Sequence, residues 1–241
     1  MASDAAAREE KGMVPTWFGF EPQRLLRALC ANSMFPYARF LVAGTENIPR
    51  EGPAILAPNH RSFFDLFALV MLSRRLGRSL RVMTKAELCA APILGPTLLA
   101  MGAVPVDRDG SAREAFNLAR TVLDRGELLV VMPEGTIPRG EAFGEPALQL
   151  KAGAVRLAKR CDVPLVPVGM IGTELVWPRQ SKFPRVTKVL NPPQVNIHVG
   201  PSVPTTAKTR DTVALLADAI SDQIAMAETM GRQGSRFKER S

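Results

Sequence analysis

The sequence is poor in the residues that build disulfide frameworks, metal sites and stacking platforms. Its 241 residues include three cysteines, two histidines, one tyrosine and two tryptophans. The cysteines (Cys30, Cys89 and Cys161) are odd in number and far apart, which argues against a disulfide framework or a cysteine zinc site and indicates a reducing compartment. Two distant histidines without an acidic cluster make a poor metal ligand set. The few aromatics and the lack of a zinc-finger spacing argue against a nucleic-acid recognition module.

The sequence also lacks a hydrophobic run long enough to cross a bilayer. A bilayer core needs about 20 mostly apolar residues. The best candidate, Leu25–Val42, contains two arginines, an asparagine and a proline, and the next, Phe63–Leu72, is short and contains Asp65. The first dozen residues carry three carboxylates and no apolar run behind a basic start, so they do not resemble a secretory signal. The pattern is that of a chain that lies on a membrane without crossing it.

What the sequence does contain is a globular composition and an excess of positive charge. Hydrophobic residues make up 46% and charged residues 22%, which favours one folded domain. With 31 Lys and Arg against 23 Asp and Glu, the net charge is +8, so an anionic partner is expected: nucleic acid, a phospholipid surface or a phosphorylated substrate. Two basic clusters without intervening acids are interpreted either as solvated surface or as contacts for CoA phosphates or an anionic leaflet: Arg74, Arg75, Arg78, Arg81 and Lys85, and Arg179, Lys182, Arg185 and Lys188.

Short apolar runs alternate with helical patterns from residue 40 onward. This alternation predicts an α/β fold, in which a layered, largely parallel sheet is flanked by helices. The predicted strands are Phe40–Ala43, Ala54–Ala57, Leu80–Met83, Ala103–Val106, Leu128–Met132, Leu165–Gly169 and Val195–Val199. The predicted helices are Phe63–Arg75, Pro92–Met101, Ser111–Arg125, Leu148–Arg160 and Asp211–Met230.

The chain divides into one main domain and three flanking segments. Residues 1–12 are predicted to be a flexible tail, and 231–241 a basic C-terminal tail. Residues 13–40 mix aromatic, aliphatic and arginine side chains in an interrupted helical pattern, which is typical of a membrane-interfacial segment and also of one that packs on a core. We expect membrane contact there, followed by the main domain over 41–230.

A histidine followed five residues later by an aspartate is the main candidate for chemistry. His60 follows a predicted strand and precedes a helix, so it lies in a loop at a strand end, with Asp65 in the first helical turn. At this spacing the carboxylate can bind one imidazole nitrogen and leave the other to take a proton from a hydroxyl. On spacing alone, a purely structural role stays open for both. The second histidine, His198, shares a strand face with Asn196 and is expected to be solvated or hydrogen-bonded.

Three further sequence blocks accompany this pair. Gly102–Arg108 ends a strand with an arginine, Glu134–Thr136 follows a strongly apolar strand, and Val163–Val168 is a strand framed by prolines. Each block alone is ordinary: a salt bridge, a turn and a buried strand. Together and in this order, the four blocks resemble those of the glycerolipid acyltransferase family, typified by 1-acylglycerol-3-phosphate (lysophosphatidate) acyltransferases. Gly44–Pro49 and Leu150–Gly153 are similar to two more of its segments, so the resemblance covers roughly residues 40–200.

The resemblance implies transfer of a fatty acyl group from acyl-CoA or acyl-carrier protein to the hydroxyl of lysophosphatidate, giving phosphatidate. It implies no resident cofactor or metal, and it places His60 as general base, Asp65 as the residue that orients it, and Arg108 on the phosphate. The implied partners are the thioester donor, a lysophospholipid and an anionic membrane surface rather than nucleic acid, with the protein on the cytoplasmic face of the cell membrane. The implied substrate-binding residues, besides Arg108, are Glu134, Gly135, Thr136, Arg139 and Lys151.

One position departs from the family pattern. The third block usually continues with an arginine, and here Ile137 stands in its place, followed by Pro138 and Arg139. That arginine is thought to help hold the acceptor phosphate, so either Arg139 substitutes or the headgroup differs. The alternatives are therefore a same-fold acyltransferase for another lysophospholipid, glycerol-3-phosphate or a glycolipid, and outside enzymes, a basic lipid-surface or nucleic-acid binding protein.

Overall fold

The computed structural model describes residues 37–92, 94–107, 110–137, 149–181, 183–185 and 191–238. The predicted tail 1–12, nearly all of the segment 13–40, and the end of the basic tail lie outside these ranges. So do Arg108 and Arg139. Among the described residues, no helix combines the length and apolarity needed to cross a bilayer.

Seven strands form one sheet in the order β1-β7-β6-β2-β5-β3-β4. All neighbouring strands are parallel except β6 and β7, which are antiparallel. The strands are β1 (Arg39–Ala43), β2 (Ala54–Pro58), β3 (Leu80–Lys85), β4 (Ala103–Val106), β5 (Leu128–Val130), β6 (Leu165–Ile171) and β7 (Gln194–Val199). This confirms the predicted α/β fold with a largely parallel sheet.

Helices cover both faces of the sheet, so the core consists of two apolar clusters. The helices are α1 (Asp65–Leu76), α2 (Ala86–Cys89), α3 (Leu94–Ala100), α4 (Ala112–Asp124), α5 (Gly153–Cys161), α6 (Thr173–Val176) and α7 (Thr209–Lys238). One cluster joins α1 and α3 to one sheet face, and the other joins α4, α5 and α7 to the opposite face. The central strand β2 is buried throughout and contributes Leu56 to the first cluster and Ile55 to the second, as expected for side chains that alternate across a strand.

The switch in helix placement creates a crevice at the carboxyl ends of the central strands. The chain leaves β2 into α1 on one face, whereas the next helix that the structure describes after the adjacent β5, α5, packs on the other face. Parallel α/β sheets open a crevice where neighbouring strands send their connections to opposite faces. The four strands β6, β2, β5 and β3 are parallel neighbours, so the segments that follow them meet at this edge.

The structure confirms all seven predicted strands and shifts some helix boundaries. The predicted helix Leu148–Arg160 begins only at Gly153, because the amide of Lys151 donates to Pro133 O at 2.8 Å instead of entering a helix. The final helix runs to Lys238 rather than to Met230, so the first residues of the predicted basic tail are helical.

The C-terminal helix α7 covers the face of β7 that carries the second histidine. His198 Nδ1 lies 2.7 Å from Gln223 Oε1, which confirms that this histidine is hydrogen-bonded. Asn196 is buried and donates to Ala227 O at 2.8 Å, so the polar face of the strand packs on a helix. The polar pairs fix the register of α7 against the sheet.

The first basic cluster is partly structural. Arg78 donates to the backbone carbonyls of Pro49, Gly52 and Gly126. Arg81 on β3 forms two hydrogen bonds, at 2.7 and 3.1 Å, with Glu127, which immediately precedes the neighbouring strand β5. These two arginines bind groups of the protein itself, so the interpretation as solvated surface or phosphate contact is wrong for them. The sequence does not show these contacts because the acceptors lie in segments that are distant along the chain.

Candidate active site

The loop between β2 and α1 holds His60 in a fixed main-chain path. Its first residue, Asn59, is buried and forms a reciprocal pair with the backbone of Met170 on β6: Asn59 Nδ2 donates to the carbonyl at 2.9 Å, and Asn59 Oδ1 accepts from the amide at 2.7 Å. The pair locks the start of the loop to the neighbouring strand. His60 follows immediately at the carboxyl end of β2.

His60 and Asp65 are in contact, as their spacing predicts. His60 Nδ1 lies 2.7 Å from Asp65 Oδ2, and the Asp65 side chain is fully buried. Because an ionised carboxylate only accepts hydrogen bonds, we assign the proton of this contact to Nδ1. The Nε2 lone pair is then free to accept a proton, which is the arrangement that a general base requires.

The same Asp65 oxygen also organises the loop backbone. Oδ2 accepts from the amide of Arg61 at 2.7 Å and from the amide of Ser62 at 3.0 Å, in addition to the His60 ring. Asp65 is the first residue of α1, where a carboxylate is favoured by the helix dipole. The structural and the functional interpretations of Asp65 are therefore compatible, because a single carboxylate serves both.

A second carboxylate reaches His60 from the neighbouring strand. Glu134 follows β5, and its Oε1 accepts from the backbone N–H of His60 at 3.0 Å. Its side chain is only 8% exposed, and burial raises the pKa of this carboxyl to about 7. In the described part of the chain, neither Glu134 Oε2 nor Asp65 Oδ1 has a hydrogen-bond partner.

Ser62 connects the loop to the segment that follows β6. Its hydroxyl donates to Trp177 O at 2.6 Å and accepts from the amide of Phe64 at 2.9 Å. Arg61 pairs with Glu174 on α6 at 3.5 Å. No sequence signal links Ser62 to Trp177, since the two residues are 115 positions apart.

An apolar cleft of about 460 Å³ opens beside His60. Its walls come from strand β3 and from the segments after β6, β2, β5 and β3, the four strands whose carboxyl ends meet at this edge. Its apolar lining residues are Phe63, Leu66, Phe67, Val82, Met83, Leu88, Leu98, Met132 and Trp177. The Phe63 and Trp177 rings lie 5.8 Å apart and form part of the wall. A cleft of this size and character suits a ligand with a long apolar part and one reactive polar group.

Some of the other predicted site residues lie together beside this loop. Gly135 has a φ of +73°, and a Cβ at this position would come within 3.0 Å of Lys151 Nζ, so the lysine side chain lies over the glycine. Thr136 is exposed. The structure thus brings Gly135 and Lys151 together next to Glu134, while Arg108 and Arg139 lie outside the described residues.

Ile137, the residue that departs from the family pattern, points into the protein. Its side chain is buried, and its carbonyl accepts from Arg179 Nη1 at 3.0 Å. Arg179 also lines the cleft with His60. Arg179 belongs to the second basic cluster, which is interpreted either as solvated surface or as contacts for CoA phosphates or an anionic leaflet. Nothing in the chain order shows that its guanidinium reaches the carbonyl of Ile137.

A family model and several known proteins are similar to this chain. A family model described as acyltransferase matches residues 39–171. A chloroplastic 1-acyl-sn-glycerol-3-phosphate acyltransferase of Arabidopsis thaliana is 30% identical over 153 residues, 62% of this chain and 41% of the plant protein. The human 1-acyl-sn-glycerol-3-phosphate acyltransferase alpha is 29% identical over 225 residues, 90% of this chain and 75% of the human one.

A solved structure shares the fold. The crystal structure of the 1-acyl-sn-glycerophosphate acyltransferase PlsC from Thermotoga maritima superposes with a TM-score of 0.61 at 18% identity, over 83% of this chain and 78% of that one. The chain spans about two fifths of the length of the plant relatives that it matches, 41% and 42%. Because the family model covers more than half of the 241 residues, including the loop of His60 and Asp65, the chain belongs to the acyltransferase family.

Proposed function

We propose that this protein transfers a fatty acyl group from acyl-CoA or acyl-carrier protein to the hydroxyl of lysophosphatidate, forming phosphatidate for phospholipid synthesis. The observation that carries the proposal is the His60–Asp65 pair at an apolar cleft, which joins a base to a binding site for a long hydrocarbon. The names of the Arabidopsis and human relatives support lysophosphatidate as acceptor.

The chemistry needs no covalent intermediate on the protein. The acceptor hydroxyl gives its proton to His60 Nε2 while its oxygen bonds to the thioester carbonyl carbon, and Asp65 stabilises the imidazolium that forms. The carbon–sulfur bond then breaks, and the imidazolium proton goes to the departing thiolate. An ester and a free thiol are released, and His60 returns to its neutral form.

The phosphate of the acceptor requires cations near the cleft. We propose that Arg108 holds this phosphate and that Gly135, Thr136, Arg139 and Lys151 also contact the acceptor. The described residues that line the cleft include two cations, Lys85 and Arg179, and no carboxylate. Lys85 pairs with Glu87 at 2.9 Å. Arg179 offers the planar donor fork that suits phosphate, so we include it among the phosphate contacts.

An acceptor other than lysophosphatidate is the second candidate. The aliphatic Ile137 is buried where the family pattern has an arginine, so the phosphate contacts differ from that pattern in at least one residue. A different lysophospholipid, glycerol-3-phosphate or a glycolipid is the alternative acceptor for the same base and cleft.

One assay separates these candidates. Purified protein is incubated with labelled acyl-CoA or labelled acyl-carrier protein together with one acceptor at a time: lysophosphatidate, another lysophospholipid, glycerol-3-phosphate or a lysoglycolipid. The ester product and the acylated carbon are then identified. Fastest turnover with lysophosphatidate supports the main proposal. Faster turnover with another acceptor selects the second candidate, and no acyl transfer with any acceptor rejects both.

We also propose that the cleft faces an anionic membrane surface, on the cytoplasmic side. Exposed apolar side chains cluster on the segment after β6 that forms one cleft wall: Leu175 is 55% exposed, and Phe183, which follows, is 75% exposed. Phe63, whose ring lies 5.8 Å from that of Trp177 in the cleft wall, is 45% exposed. Such side chains around an opening are typical of surfaces that meet membranes or other apolar partners.

Vesicle flotation tests this orientation with a matched control. The double variant Leu175→Ser with Phe183→Ser is expected to float less with vesicles that contain phosphatidylglycerol than the unmodified protein does. The control pair, Leu215→Ser with Met226→Ser, alters similarly exposed side chains on α7 and is expected to leave flotation unchanged. Equal recovery of the two variants would reject the orientation.

A further inference from the structure

Glu134 contacts the main chain of the proposed base and is absent from the cleft wall. Its Oε1 accepts from the His60 N–H at 3.0 Å, and it does not occur among the described residues that line the cleft. We propose that Glu134 is a positioning residue, whose carboxyl group holds the backbone of His60 in place from the end of β5 and does not touch the acceptor. This inference rests on the proposed function, in which His60 is the base.

The hydrogen bonds of the loop show what Glu134 contributes. Four consecutive backbone N–H groups, those of residues 59–62, all have acceptors. The first donates to Val168 O at 3.3 Å, and the last two donate to Asp65. The second, that of His60, donates to Glu134. The acceptor at His60 is therefore the one that comes from β5, and it links the base to the neighbouring strand.

The burial of Glu134 fits a positioning role better than substrate contact. The side chain is 8% exposed, and its second oxygen is buried without a partner in the described part of the chain. A ligand in the cleft meets Met132 on this side, two residues earlier in the chain. Glu134 thus acts on the cleft through His60, since the carboxyl group is turned to the loop backbone.

The protonation state of Glu134 modulates this contact. Burial raises its pKa to about 7, and the negative charge of Asp65 acts in the same direction. The hydrogen bond from His60 and the charges of His60 and Arg61 act in the opposite direction. Lys151 lies over the adjacent Gly135. A carboxylate accepts a stronger hydrogen bond than a neutral carboxyl, so His60 is held more firmly as pH rises through this value.

Kinetics of two variants separate positioning from acceptor binding. Glu134→Ala leaves the His60 amide without its partner, and we expect kcat to fall by roughly 10- to 100-fold with the acceptor KM unchanged. Glu134→Gln keeps an oxygen acceptor of the same reach, so it is expected to recover most of kcat and to lose the part of the pH–rate profile that depends on Glu134. The control variant Glu114→Ala removes an exposed carboxylate on α4 and is expected to leave kcat and the acceptor KM unchanged. A raised acceptor KM with unchanged kcat in Glu134→Ala would overturn the proposal.

A spectroscopic test does not depend on activity. The chain has two histidines, so labelling with ¹⁵N-histidine gives one backbone amide signal for His60 and one for His198. The His60 signal is expected to shift with pH around 7 in the unmodified protein, and part of this shift is expected to disappear in Glu134→Gln. The His198 signal serves as the internal control. Identical pH titrations of the His60 amide signal in the two proteins would overturn the proposal. Different titrations support it even if the acyl-transfer assay fails.

Discussion

Replacing Asp65 with asparagine tests whether the carboxylate stabilises a charged imidazole. The side chain is fully buried, and its Oδ2 accepts from the His60 ring at 2.7 Å and from the amides of Arg61 and Ser62. An asparagine whose oxygen takes this position keeps the three donors but loses the charge. Turned the other way, it sets its own N–H groups against those donors. In neither orientation does the variant stabilise the imidazolium as the carboxylate does.

The expected size of the effect follows from the burial of this pair. Removing one partner of a buried charge pair costs about 3 to 5 kcal/mol. In the proposed mechanism His60 gains its positive charge by taking the proton of the acceptor hydroxyl, so this cost falls mainly on the transition state. At 1.36 kcal/mol for each factor of ten, kcat is expected to fall by roughly 10²- to 10⁴-fold. The KM of the thioester donor is expected to change little.

The assay measures free thiol released from acyl-CoA in the presence of lysophosphatidate. Asp124→Asn is the matched control, since that carboxylate is exposed on α4 and pairs only weakly with Arg120, at 3.4 Å. Fluorescence of Trp177, recorded with Trp17 replaced by phenylalanine, reports whether the loop keeps its contact through Ser62. If Asp65→Asn keeps this fluorescence and turns over within about threefold of the unmodified enzyme, the stabilising role is refuted.

Three further predictions follow from the same geometry. His60→Ala is expected to lower kcat by roughly 10²- to 10⁴-fold because the base is lost, whereas the control His198→Ala is expected to retain turnover. Thiol release measures both variants, and comparable losses of kcat would contradict the assignment of His60 as the base. Arg179→Ala is expected to raise the KM of lysophosphatidate about tenfold but not that of an unphosphorylated monoacylglycerol, and equal changes would remove the phosphate role. Burial raises the pKa of Glu134 from 4.5 to about 7, so between these pH values the folded protein binds more protons than the unfolded chain. The free energy of unfolding is therefore expected to fall by about 3 kcal/mol from this group as pH rises from 4.5 to 7. Urea unfolding measures this fall, which Glu134→Gln is expected to reduce; the same slope in both proteins would contradict it.

The strands and the His60–Asp65 contact were accessible from the sequence because both depend on local order. The apolar run that contains Leu128–Val130 is short and lies between Gly126 and Pro133, so its length and its flanking residues identify it as a buried strand. A histidine and an aspartate separated by a single tight loop meet because the chain between them is short. The departure at Ile137 was also visible, as a change in an otherwise matching block.

The remaining contacts of the site depend on how distant strands are ordered in the sheet. Glu134 reaches His60 across 74 positions because β5 lies beside β2, although two other strands separate them in the chain. Trp177 joins the cleft because β6 lies on the other side of β2. The sequence therefore determined the strands, the fold class and the contact between His60 and Asp65. The tertiary structure decided the positions of Glu134, Trp177 and Arg179, since strand order and register, rather than local spacing, bring these side chains to one edge of the sheet.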